Sequence, residues 1–179
     1  MPNQQPVITA ADGRRKFACS PAAVLAFIVD AEERLLLLAH PHRKGEWEVI
    51  NGALNANETI LEGVLREVRE EAGPAVQARP LGTVHAYTFR YDDNVQYMLT
   101  TCYLLIYEGG EILPGDDMQG SQYRWWRLDE IADPQVRLIV PRDQKWLLGR
   151  AVELYRLWKD QAVDLQPERD PAARTKYTL

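Results

Sequence analysis

The chain predicts an α/β domain, because apolar β-branched runs of strand length alternate with two stretches whose apolar residues recur at helical spacing. At 179 residues and 46% hydrophobic it is long enough to bury one core. Residues 1–16 are polar, with Pro2, Pro6, Asp12 and Gly13 and no apolar h-region, so they read as a tail without a signal peptide. Ala22–Val29 is an unbroken apolar run that stops at Asp30; a turn through Glu32-Glu33 leads to a second run over 34–39, and together they predict a buried hairpin. A loop, His40 to Gly45, precedes a short strand over 46–50 closed by Asn51-Gly52. From Thr59 the period becomes helical: Ile60, Leu61, Val64, Leu65, Val68 and Ala72 share one side, Thr59-x-x-Glu62 fits a capping box, and Gly73-Pro74 stops the helix. Residues 81–91 and 97–107 read as two strands about Asp92-Asp93-Asn94, and 122–128 as another short strand. Residues 145–160 form a second amphipathic helix with Leu147, Leu148, Val152, Tyr155 and Trp158 inward. The expected organisation is one domain over 17–165 with a polar tail over 166–179.

The net charge of −5 and pI near 5.3 argue against nucleic acid or an anionic membrane as partner, since neither polyanion is attracted without a basic face. No apolar stretch is long enough to span a bilayer. Cys19 and Cys102 have no C-x-x-C spacing and read as small buried residues of a reduced, cytoplasmic protein. Oligomeric state has no signal in the sequence, which leaves a homodimer open.

The chemistry concentrates on the first helix. At about 100° per residue, Glu67, Glu70 and Glu71 fall within one sector of roughly 100° that borders the apolar side. An acidic helix face is ordinarily just solvated. Here the carboxylates repel at i, i+3 and i, i+4, and two of them stand in the last turn, where the helix dipole is also negative. A hard cation reverses both penalties, and clustered carboxylate oxygens suit Mg2+ or Mn2+.

The spacing of the surrounding residues is more specific. Gly52, Glu58, Arg66, Glu67, Glu70, Glu71 and Gly73 stand in the order G-x5-E-x7-R-E-U-x-E-E-x-G, which resembles the Nudix box at each fixed position. Asn51 departs from it where many relatives have a second glycine, and Pro74 where an aliphatic residue is usual. Asn51 is expected to tolerate a left-handed backbone nearly as glycine does. Glu46-Trp47-Glu48-Val49-Ile50 is similar to the strand that leads into the box, and Trp125-Trp126-Arg127-Leu128-Asp129-Glu130-Ile131 to a segment common after it. The resemblance implies the family's α/β/α sandwich around a mixed sheet.

It also implies roles. Glu67, Glu70 and Glu71 would hold Mg2+ or Mn2+ with the Gly52 carbonyl, Glu67 either binding directly or holding a water as general base. Arg66 and Glu58 resemble the pair that fixes the loop to the helix, and Arg66 can equally pair with Glu62 or Glu70 along the helix. Some relatives keep their base outside the box, which makes Glu108, Glu111, Asp116 and Asp117 candidates. Phosphate-facing cations are sought in Arg43, Lys44 and Arg90, and stacking groups in Trp47, Tyr91 and Tyr97. Strand aromatics are more often core, and His40, His42 and His85 lack metal spacing. The implied reaction is metal-dependent water attack on a diphosphate bridge, with a small nucleotide-type diphosphate as substrate. Tyr91, about seventeen positions beyond the box, leans toward dinucleoside polyphosphates, with nucleoside triphosphates beside them. A non-catalytic binding module of the same fold, and isopentenyl-diphosphate isomerase chemistry, are the alternatives.

Overall fold

The computed structural model describes residues 5–142 and 144–161, so the tail expected over 166–179 lies outside them. The segment read as an N-terminal tail is structured in part. Val7–Thr9 (β1) and Lys16–Ala18 (β2) pair antiparallel as a ribbon exposed along both strands. Its apolar residues Val7, Ile8 and Phe17 all stay more than half exposed, so no buried face marks it in the hydropathy.

The rest of the described chain builds an eight-stranded mixed sheet. Ala22–Val29 (β3) is central and Leu35–Ala39 (β4) folds back on it antiparallel, as the paired apolar runs predict. The strand expected over 46–50 is divided. Glu46–Glu48 (β5) pairs with β4, whereas Ile50–Ala53 (β6) pairs with β3 and carries the strand through Asn51-Gly52 rather than ending there. Ile60–Glu67 (α1) follows, then Gln77–Phe89 (β7) and Met98–Gly109 (β8), an antiparallel pair whose second strand lies parallel to β3. Tyr123–Trp126 (β9) pairs with β4 and runs into a short helix, Leu128–Ala132 (α2). Arg137–Val140 (β10) adds to β5 in parallel, and Trp146–Trp158 (α3) is the last described element.

Why β3 is apolar at every position is clear from its two faces. Leu25, Phe27 and Val29 enter a core with Leu147, Leu148, Ala151, Val152 and Tyr155 of α3, while Val24, Ala26 and Ile28 enter another with Val64 of α1 and Val68 and Ala72 beyond it. A strand covered on both faces needs no polar alternation. The result is the expected α/β/α sandwich. Trp158 packs partly buried on the α3 side as expected, but Ile60, placed inward by periodicity, is 39% exposed at the first turn of α1.

The start of α1 is fixed locally. Thr59 accepts from the Glu62 N–H, and the Glu62 carboxylate accepts from the Thr59 N–H at 2.8 Å. Thr59→Ala removes half of this capping box and should lower stability by about 1 kcal/mol in urea unfolding, with no change in metal binding.

Candidate active site

The helix bearing the carboxylates is not regular throughout. Beyond Glu67 the chain continues as a wider π-helical turn, Val68–Ala72, and stops at Gly73, whose φ of 117° belongs to glycine. The carbonyls that the end of that turn leaves without helical partners are capped from a distant loop: Leu113 N–H donates to the Ala72 carbonyl at 2.9 Å and Gly115 N–H to the Glu71 carbonyl at 3.2 Å. This docking brings Asp117 into the electrostatic field of the helix carboxylates.

The three glutamates therefore do not line one solvated edge. Glu67 and Glu71 are 7% and 4% exposed, while the Glu70 side chain keeps 40% of its surface and bonds Arg66 Nη1 at 2.6 Å. Glu71 accepts from the Asn51 N–H at 2.9 Å. Burial, with Asp117, Glu67 and Glu48 adding repulsion, pushes its carboxyl up to about 9. Burial raises Glu67 as well, opposed by Arg66.

Gly52 has a steric rather than a conformational reason. A Cβ there would stand 1.9 Å from Glu67 Oε1, so only glycine lets the Glu67 carboxylate lie against the β6 backbone. Neither Gly52 nor Asn51 has a positive φ, which corrects the expectation that Asn51 is tolerated for a left-handed backbone. What Asn51 supplies is hydrogen bonds, from its N–H to Glu71 and from Nδ2 to Glu48 Oε2 at 3.2 Å.

Arg66 is the hub of the loop. Nε donates to Glu58 Oε1 at 2.8 Å, Nη2 to the Ala53 carbonyl at 2.8 Å, and Nη1 lies 2.8 Å from Glu67 Oε1. Glu58 in turn accepts from the Asn55 N–H at 2.8 Å. The loop over 53–58 is thereby pinned to α1, and both readings of Arg66 hold together, with Glu70 as its helical partner. Arg66 holds the Glu58 carboxyl below the usual carboxylate range.

A cation suits this donor set. Three carboxylates, Glu48, Glu67 and Glu71, are buried, the charges of Glu48 and Glu67 raise the proton affinity of Glu71, and like charges removed from water call for a counter-ion. All the donors are hard oxygens. Among the described residues no three acidic or imidazole groups already enclose a point, and Glu70 is turned to Arg66.

Glu48 was not singled out by sequence reasoning, although a carboxylate between Trp47 and Val49 was its one available signal. It pairs across the sheet with Leu38, which belongs to the α1-side core, so Glu48 shares the face of the box. Trp47 points the other way, into the α3-side core, with its ring 5.0 Å from that of Trp126. It is not brought to the carboxylates. His40 and Arg43 lie near enough to Glu48 to offset part of its burial, which keeps the loop of Arg43 and exposed Lys44 beside the site.

Arg90 and Tyr91 are remote from it. One row of the sheet runs Gly52, Val24, Thr101, Ala86, three strand spacings or about 14 Å, and both residues lie beyond its end. Arg90 pairs with Asp93, and Tyr91 is 68% exposed. Tyr97 is also exposed. Of the outlying acids, Glu108 pairs with Arg79 at 2.7 Å, and Glu111, Asp116 and Asp117 are all exposed, but of the four only the charge of Asp117 bears on Glu71 and Glu67. Cys102 is buried in the α3-side core with its thiol pushed up to about 12 by burial, across the sheet from the carboxylates, a poor position for isomerase chemistry. Cys19 is only half-buried.

The chain resembles known proteins in sequence and fold. The NUDIX domain family matches residues 20–148. The NAD-capped RNA hydrolase NudC of Photobacterium profundum is 34% identical over 113 residues, 63% of this chain and 39% of that protein. An ADP-ribose pyrophosphatase of Methanocaldococcus jannaschii is 27% identical over 105 residues, 58% of this chain and 61% of that protein. The matches to NudC proteins thus span about two fifths of those relatives' length. Among solved structures, an ADP-ribose pyrophosphatase from Streptococcus suis superposes with a TM-score of 0.59 at 18% identity, covering 77% of this chain and 93% of that one. At that identity the likeness establishes the fold. No described helix is long and apolar enough to cross a membrane.

Proposed function

The chain belongs to the Nudix family, and from that premise we propose that it is a divalent-cation-dependent pyrophosphohydrolase of nucleoside diphosphate derivatives. The observation that carries the reading is the buried Glu71 carboxylate, 4% exposed and held by the Asn51 N–H, beside Glu67 and Gly52 at the spacing of the box.

Glu67, Glu70 and Glu71, with the Gly52 carbonyl, would hold Mg2+ or Mn2+, Glu70 exchanging its ion pair with Arg66 for that role. When bound, the cation neutralises phosphate oxygens and lowers the pKa of its water. Attack forms a bond from the water oxygen to phosphorus as the bridging P–O bond breaks. Glu67, against the Gly52 backbone, takes the proton where it holds the attacking water rather than the cation. Arg66 and Glu58 keep the loop over 53–58 in place while this happens. Arg43 and Lys44 approach phosphate from the loop beside Glu48.

Two sequence relatives are named for NAD-capped RNA and for ADP-ribose, both of which contain an adenosine diphosphate half, whereas the lean of Tyr91 toward dinucleoside polyphosphates loses its support with that residue away from the carboxylates. The substrate class is accordingly a nucleoside diphosphate joined to a second moiety. The test is product release from ADP-ribose, NADH, NAD-capped RNA, diadenosine polyphosphates, nucleoside triphosphates and coenzyme A, with Mg2+ or Mn2+ and with chelator. Chelator-sensitive cleavage of one compound is expected, and silence across the panel from folded, metal-loaded protein would move the assignment to a binding module.

A further inference from the structure

We propose that Asn51 is a positioning residue of the cation site, tying the buried carboxylates of Glu48 and Glu71 to one backbone segment and bringing Glu48 into the site as a further carboxylate. The inference rests on the function proposed above.

The chain changes strand partners between Glu48 and Ile50. Glu48 ends β5, which pairs with β4 and β10, and Ile50 begins β6, which pairs with β3. Between them, the Val49 N–H bonds the Val140 carbonyl at 3.1 Å. Such a crossing leaves its polar groups in need of partners, and Glu48 is 93% buried there. Asn51 reaches back over it: Nδ2 donates to the Val49 carbonyl at 3.0 Å and to Glu48 Oε2 at 3.2 Å. One amide nitrogen carries the two protons this requires. The same residue's N–H holds Glu71 Oε2 at 2.9 Å, so the separation of the two carboxylates is set by a single residue. Glycine keeps the N–H and loses both side-chain bonds. Glu48 lies on the α1 face of the sheet through its pairing with Leu38, the face that carries Glu67 and Glu71.

Partners of metal-binding carboxylates typically change affinity tenfold or more when removed. The experiment is Mn2+ titration of the full chain by calorimetry, with wild type, Asn51→Gly, Asn51→Ala, Glu48→Gln and the Asn51→Ala/Glu48→Gln pair. Each single variant is expected to weaken Mn2+ binding by about tenfold. Because Asn51 acts through Glu48, the pair should be no weaker than the worse single variant. Wild-type affinity in Asn51→Gly and Asn51→Ala would overturn the inference, as would a loss in the pair equal to the product of the two. If glycine unfolds the crossing, Glu48→Gln, which keeps the shape of the side chain, decides alone: unchanged Mn2+ affinity there overturns it. Wild type that binds no Mn2+ and cleaves no diphosphate removes the proposed function and this inference together, whereas wild-type binding that survives in the variants removes only the latter.

Discussion

Glu71→Gln should lose at least about a hundredfold in cation-dependent turnover while gaining stability in the metal-free state. The two effects have one origin. Glu71 is buried among Glu48, Glu67 and Asp117, and its carboxyl is pushed up from 4.5 to about 9. An acid with a raised folded pKa holds its proton better folded than unfolded. Its favourable contribution is therefore complete below 4.5 and is lost as the pH rises through about 9. Metal-free wild type should lose melting temperature between pH 6 and pH 8.5, and Glu71→Gln, with no proton to lose, should show a shallower fall. Saturating Mn2+ should reverse the order, because the cation binds the ionised carboxylate and stabilises only the state that holds it. Melting curves at both pH values, with EDTA and with Mn2+, beside turnover of the best substrate, read all of this at once. Turnover of Glu71→Gln equal to wild type would remove the proposed site.

Much of this site was legible because its parts are close in sequence. Gly52, Glu58, Arg66, Glu67, Glu70 and Glu71 lie on one strand, loop and helix, so spacing alone brings them together, and the capping box at Thr59 marks where the helix begins. The core was legible for a related reason: β3 is buried on both faces and reads as an unbroken apolar run. What failed to show depends on contacts between distant segments. Asp117 reaches the carboxylates only because residues 113–115 cap the helix end, and its own surroundings look like any acidic loop. Glu48 looks like strand alternation until the crossing between β5 and β6 buries it. The π-helical turn carries no pattern that distinguishes it from a regular helix, so a projection at 100° per residue placed Glu70 and Glu71 in one sector, whereas the structure buries one and turns the other to Arg66. Trp47 was ambiguous between stacking and packing, and its ring contact with Trp126 on the α3 side decides for packing.

Arg66→Ala should be the most damaging change that touches no proposed ligand atom. The guanidinium binds Glu58 through two nitrogens, Glu70 and Glu67 through a third, and the Ala53 carbonyl, so its loss frees the loop and leaves Glu67 unpaired at 7% exposure. Removing one partner of a buried ion pair costs about 3 to 5 kcal/mol. Arg66 keeps 19% of its side chain in water, and the expected loss is nearer about 2 to 3 kcal/mol. Lysine should not rescue it, since one ammonium cannot span these acceptors as the planar fork does. Two consequences separate this from plain destabilisation. With Arg66 gone, Glu67 and Glu70 lose a competing positive charge, so Mn2+ should recover part of the lost melting temperature and recover more than it adds to wild type. Turnover should nonetheless stay low at saturating Mn2+, because a loop no longer pinned at Ala53 and Glu58 leaves the adjacent Gly52 carbonyl imprecisely placed. Full recovery of both stability and turnover by Mn2+ would reduce Arg66 to a counter-charge, and no recovery of either would make it a purely structural anchor.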